Sequence, residues 1–338
     1  RSDTGSMVVQ AVTAGAAKQG GSTDPCVGKA ICVRADEGAG TGTQTLTAGQ
    51  LTASTGALFV RGRSGVTAGD VSTEGGVLDI GAAAGGVTLG AVRGSGAVTV
   101  TARDALSAGD VVGATGVAGD VVMSSADGAL TVRSVTAGTS TVLSSVDLRA
   151  KGDLDVTVDS TTRGNIVASG GARLDSGAAL RVGDITATQD VQVTAQDALS
   201  AGAVRSTDRG VRLESIAGAV TAASVAGRGA VDLLATSGRV SVGSDSGSSF
   251  IGGAVSSSDA AVTLTARDGV STGDLGATDI TVTATGGDIS LGGATARTLT
   301  VNAAAGQAGA MGVALMTMVI RFTRGKRDAA AREADLAE

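Results

Sequence analysis

Over most of its length the chain alternates apolar and polar residues one by one. In Val98-Thr99-Val100-Thr101 the valines fall on one side of an extended backbone and the threonines on the other, because successive side chains of a strand point to opposite faces. The alternation returns at GVLDI from Gly76, GVTLG from Gly86, ALTVR from Ala129, DLDVTV from Asp153, GVRLES from Gly210 and DITVTA from Asp279. Each run predicts a short strand with one buried and one wet side. Many runs start about ten residues apart and like faces about twenty apart, as for Val191, Val211 and Val231.

Longer copies sit within this pattern. VTVTARDALSAGDV (Val98 to Val111) returns as VQVTAQDALSAGAV (Val191 to Val204) and as VTLTARDGVSTGDL (Val262 to Leu275), and self-similarity of this kind is the signature of a repeat architecture. A hairpin meander would alternate too, but its tight turns favour Asn-Gly or Asp-Gly. Here Asp-Gly occurs only at Asp127 and Asp268, and neither Asn165 nor Asn302 precedes a glycine. The reverse order dominates: Gly precedes Asp70, Asp110, Asp120, Asp153, Asp184, Asp274 and Asp288, and Val, Leu or Ile follows each time. These are acidic corners placed just ahead of strands. The predicted fold is therefore all-β, a parallel β-helix solenoid with ~20-residue coils of two or three short strands. The chirality rule for parallel crossovers favours a right-handed coil. Helical repeats are disfavoured, since spacings of three and four are missing and glycine is too frequent for helix interiors.

Composition narrows the interior. Of 338 residues 42% are hydrophobic, yet the aromatics are Phe59, Phe250 and Phe322 alone, beside 54 glycines and a single proline. Small and branched side chains must fill thin, regular layers. No histidine is present, which removes Ser-His-Asp and Cys-His catalysis together with the commonest metal ligand. The formal net charge of −6 and the lack of a basic run before the last twenty residues exclude nucleic acid as a partner.

The Gly-Asp-aliphatic corners, the VTVTA-type strands and the DALSAGDV-like repeats resemble the haemagglutinin-repeat shafts of filamentous haemagglutinin-like exoproteins, the large bacterial adhesins of two-partner secretion. They are also similar to autotransporter passenger domains. The resemblance covers most of residues 41 to 306. It implies a right-handed parallel β-helix, export to the medium or bacterial cell surface through an outer-membrane transporter, and adhesion to a host-cell, surface or matrix receptor. The Asn-Pro-Asn motifs of that family's secretion domain are absent, so the piece corresponds to shaft. The reading adopted is a non-catalytic protein without a cofactor. Alternatives on the same fold are a polysaccharide lyase or hydrolase and a purely structural fragment without its own ligand.

The organisation predicted is an N-terminal lead-in or cap segment over residues 1–40, a repeat shaft over 41–306 and a tail over 307–338. The chain opens on Arg1 with no charged-then-apolar leader, which reads as a mature or internal segment. Cys26 and Cys32 are close enough in sequence for a small closed loop, and a disulfide between them fits an oxidising compartment. The alternative is two inert or free thiols; structural zinc would need more Cys or His ligands. In the tail, Ala308 to Ile320 is almost wholly apolar, basic residues follow, and AAAREADLAE is rich in helix formers. A short C-terminal helix covering the open end of the solenoid is expected, with contact to a membrane as the alternative.

Five further patterns call for a chemical reading. Gly269-Val270-Ser271-Thr272-Gly273 matches a nucleophile elbow, but without a histidine base it reads as a corner turn. Paired aspartates could cleave a glycosidic bond, yet the acids are spread with the corners and no Trp or Tyr is there to stack a sugar. Stacked corner aspartates could hold calcium, but the Gly-Gly-x-Gly-x-Asp repeat is missing and they read as solvated turn residues. Outward Thr-x-Thr pairs (Thr45/Thr47, Thr99/Thr101, Thr263/Thr265, Thr281/Thr283, Thr298/Thr300) could order water or bind ice, and read more simply as β-branched residues on wet strand faces. Gly38 to Gly42 lacks the Lys-Ser/Thr of a phosphate loop and reads as a flexible lead into the shaft.

Overall fold

The computed structural model describes residues 7–14, 29–35, 45–114, 119–138, 145–159, 162–246 and 249–321. The chain divides into two compact units, Arg1–Gln192 and Val193–Glu338. Each is a parallel β-solenoid with coils of about 20 residues, and the described residues contain no helix.

One coil of the first unit shows how the sequence makes the turn. Leu78–Ala82 forms a first face, Gly86–Leu89 a second and Val92–Gly94 a third, after which Val98–Ala102 returns to the first face one layer on. Leu78 then lies beside Val98, Ile80 beside Val100 and Ala82 beside Ala102, in parallel register. The first face continues through Val121–Ser125, Val146–Ala150 and Ala172–Ser176 without a register slip. The second unit repeats the scheme. Its first face runs through Val211–Ser215, Val231–Ala235, Val262–Ala266 and Asp279–Ala284 to the second half of Ile289–Ala303.

Alternation places the aliphatic positions inside. Leu58, Leu78, Val98, Val121 and Val146 stack in one fully buried column, and Val60, Ile80, Val100, Met123 and Leu148 in the next. Each such side chain contributes roughly 1.5–3 kcal/mol of burial free energy. Because three faces enclose a narrow space already filled by aliphatics, no ring enters the core among the residues whose burial is described. The third inward position of the first face is small, as at Ala82, Ala102, Ser125, Ala150, Ser215 and Ala235, since the backbone turns there. Where that residue is serine it also ties the corner: Ser125 Oγ donates to the Asp104 carbonyl (2.5 Å) and accepts from the Gly128 N–H (3.1 Å). Ser215 does the same with Asp197 (2.5 Å) and Gly218 (3.1 Å).

Departures from the ~20-residue period lie at corners. Val240–Ser246 runs out of the second face of its unit and pairs antiparallel with Ser249–Gly252, forming a hairpin before the chain re-enters the coil at Val255–Ser257. In the first unit a smaller excursion after Leu154–Val156 is closed by an antiparallel bridge from Thr157 to Arg163.

Two sequence expectations need correction. The apolar stretch expected as a helical cap is a strand, Ala308–Arg321, which pairs in parallel with Ile289–Ala303, from Ile289 beside Ala308 to Asn302 beside Arg321. Helix propensity there is worth only tenths of a kcal/mol per residue, whereas the preceding coil offers a complete row of backbone hydrogen-bond partners. Among the described residues no helix is long and apolar enough to cross a membrane; residues 322–338 lie outside them. Strand pairing also runs beyond the expected limits of 41 and 306, because Met7–Ala14 and Lys29–Ala35 already pair with Thr45–Ala53 and Ala57–Gly62.

Candidate contact surface

With the inward positions committed to the core, the outward positions and the corners are what a ligand or partner meets. On the second face of the first unit Thr47, Thr67, Thr88, Ser107 and Thr131 form one column in register. Asp155 and Arg181 continue it and close on each other at 3.2 Å. On the first face Asp147 lies beside Arg173 and Arg149 beside Asp175, while Arg149 binds Asp147 at 2.6 Å and Arg173 binds Asp175 at 2.8 Å along their own strands. The hydrogen bond that Arg149 donates to Asp147, and then the charge of that carboxylate, raises the Arg149 pKa above its ordinary value. Nearer the start of that face Arg61 lies 4.6 Å above the Phe59 ring and forks onto Asp79 at 2.7 and 2.8 Å. Gly81 makes room for it, as a Cβ there would meet Arg61 Nη1 at 2.8 Å.

Two of the Thr-x-Thr pairs, and Thr300 of a third, come together in the second unit. Thr263, Thr281 and Thr300 form one column, and Thr265, Thr283 and Asn302 the next. Asp232 and Leu234 end the array on one side, and Thr298 lies beside Asp279 rather than within it. Thr99/Thr101 is flanked by Asp79 and Gly81 on one coil and by Val122 and Ser124 on the other.

The Gly-Asp corners have a role that the sequence left unread. Asp70 Oδ1 accepts the Ala91 N–H at 2.9 Å, Asp153 that of Ala179 at 3.0 Å, Asp274 that of Gly293 at 2.8 Å and Asp288 that of Gln307 at 2.8 Å. Each acceptor reaches a donor one coil on, so these aspartates are clasps between layers as well as solvated turn residues. Asn165 serves the Asp184 N–H in the same way at 2.9 Å. Asp120 differs: one of its carboxylate oxygens is buried without a hydrogen-bond partner among the described residues. No three acids or cysteines converge as metal ligands among the described residues.

Two shallow depressions open on the second unit. One, of about 440 Å³, gathers Arg239, Asp268, Asp288, Ser271 and Ser290 around glycine-lined corners. The elbow-like serine lies here, on an outward second-face position beside Ser241 and Ser290, and Gly269 before it takes a φ of 127°, a conformation suited to glycine. The other, of about 380 Å³, gathers Arg205, Thr207, Arg228, Ser256 and Ser258. Arg228 holds Asp259 at 2.7 Å, and this hydrogen bond is the main cause of its raised pKa. Neither cluster was visible in the sequence, because its members lie on different coils.

No protein family, curated relative or solved structure matches the chain. The parallel β-solenoid fold therefore rests on the strand pairing itself. Of the cysteine pair, Cys32 lies on Lys29–Ala35 beside Phe59, and no described cysteine is free. Cys26 and the Gly38–Gly42 run lie outside the described residues.

Proposed function

We propose that the chain is a non-catalytic, adhesin-type β-helix segment, secreted or displayed on a bacterial surface, which attaches to a receptor through its wet faces or carries binding regions as a shaft. The observation that supports this most is the distribution of its charged groups. Four of the corner aspartates are each engaged with a backbone N–H group of the next coil, and face acids are engaged with arginines on the same or adjacent strands. A shaft needs this: each surface pair is worth only about 0–1 kcal/mol, but repeated along a stack it fixes register and leaves a regular polar exterior. The outer-membrane transporter and the receptor belong to the same proposal.

The depression holding Asp268, Asp288 and Arg239 favours a second reading, cleavage of a polysaccharide by paired carboxylates. The test joins both. Full-length protein is assayed for attachment to cells and immobilised matrix, and for release of new chain ends from acidic and neutral polysaccharides. Attachment without cleavage supports the adhesin reading; cleavage abolished by Asp268→Asn or Asp288→Asn would replace it with the enzyme.

A further inference from the structure

We infer that the depression formed by Arg205, Arg228, Ser256, Ser258 and Gly276 binds a carboxylated sugar, a hexuronate unit of an acidic glycan, with Arg205 gripping the carboxylate. This rests on the adhesin reading and names the ligand class that its surface would take.

The pocket is a product of coil register. On the third face of the second unit Arg205, Ala226, Ser256 and Gly276 follow one another in a single column. The arginine thus stands at the end of a trench whose floor is kept low by an alanine and a glycine. Around the adjoining corner Arg228 and Ser258 form the other wall. Arg205 is exposed and makes no ion pair with any described residue. Arg228 is instead held by Asp259 through its Nε at 2.7 Å, which fixes one wall, and Asp208 lies close enough to act on the same guanidinium.

The chemistry of the walls selects the ligand. A guanidinium presents a planar fork that matches a carboxylate in two parallel hydrogen bonds. Ser256 and Ser258 bring hydroxyls that both donate and accept, as ring hydroxyls of a sugar do. The volume, about 380 Å³, lies near the lower end of the roughly 300–1,000 Å³ of small-ligand sites and exceeds what a bare oxyanion fills. Without an aromatic platform in the trench, charge and hydrogen bonding must supply the selectivity.

Gly276 gives a clean perturbation. A Cβ there meets only Ser256 Cβ, at 3.9 Å, an ordinary contact, so Gly276→Val raises the floor without disturbing the coil. Calorimetric titration of the full chain with trigalacturonate, with maltotriose as the neutral control and sodium sulfate as the bare oxyanion, tests the site. Trigalacturonate is expected to bind at least about tenfold more tightly than either control, and Arg205→Gln and Gly276→Val are each expected to weaken it about tenfold at an unchanged melting temperature. Failure of the wild type to bind trigalacturonate overturns the inference. So does equal affinity for sulfate, or uronate binding that neither variant changes. Attachment to cells is measured alongside: if it persists while uronate binding is absent, the pocket fails and the adhesin reading stands, whereas absence of attachment removes that reading whatever the pocket binds.

Discussion

Ser215 offers the sharpest check on how the coils are held together. Its side chain is fully buried and links two layers, donating to the Asp197 carbonyl at 2.5 Å and accepting from the Gly218 N–H at 3.1 Å. Ser215→Ala removes both bonds. Steric cost is small, because Ala235 and Ala266 occupy the same corner on the next two coils of the unit. What is lost is hydrogen bonding, about 0.5–1.5 kcal/mol for each bond, so the expected destabilisation is about 1–3 kcal/mol. In a stack held by nearest-neighbour contacts the loss should be felt locally, and a whole-chain midpoint would dilute it. Native-state hydrogen exchange at Gly218 reads it directly, and about 1–3 kcal/mol corresponds to exchange faster by roughly 5- to 150-fold. Ser200→Ala, on an outward position, serves as control and should stay within about 0.5 kcal/mol. Exchange at Gly218 unchanged by Ser215→Ala, or changed equally by the control, would refute the clasp.

Two substitutions extend the reasoning to the corners. Gly287→Ala places a Cβ 1.8 Å from the Asp268 carbonyl oxygen, whereas a Cβ at Gly309 meets nothing within 4 Å. Gly287→Ala should therefore lower the melting temperature by several degrees and Gly309→Ala should leave it in place; equal melting of the two would contradict the stacking of these corners. Asp70→Ala deprives the Ala91 N–H of its acceptor and should cost about 1 kcal/mol, read as faster exchange at Ala91 with Asp70→Asn restoring most of the protection.

Much of this architecture was legible from residue order, and the boundary of legibility has physical causes. Alternation in Val98-Thr99-Val100-Thr101 sufficed to assign inner and outer positions, because a strand has only two sides. The three near-copies sufficed to predict coils. The strand at Ala308–Arg321 was not legible, since Ala, Leu and Met suit a helix and only the neighbouring coil, nineteen residues back at Ile289–Asn302, decides for pairing. The same holds for Asp274, whose partner Gly293 is fixed by register and not by any local motif. The trench at Arg205 was hidden for a related reason: Ser256 and Gly276 reach it only after an intervening hairpin adds residues between Val240 and Val255. The buried corner serines Ser125 and Ser215 carried no signal in the sequence, because burial at a bend is a property of the stack.

The near-copies VTVTARDALSAGDV and VTLTARDGVSTGDL occupy equivalent places in their units: Val98 and Val262 open a first face, Leu106 and Val270 a second, Val111 and Leu275 a third. A whole coil is therefore an exchangeable genetic cassette. In-frame duplication or unequal crossing-over between such segments adds or removes one layer while every surviving strand still meets a neighbour of the right shape. Length becomes a trait that a lineage can adjust step by step, and the surplus residues of a corner, such as the hairpin at Val240–Gly252, become ground where new sequence can be tried without touching the core.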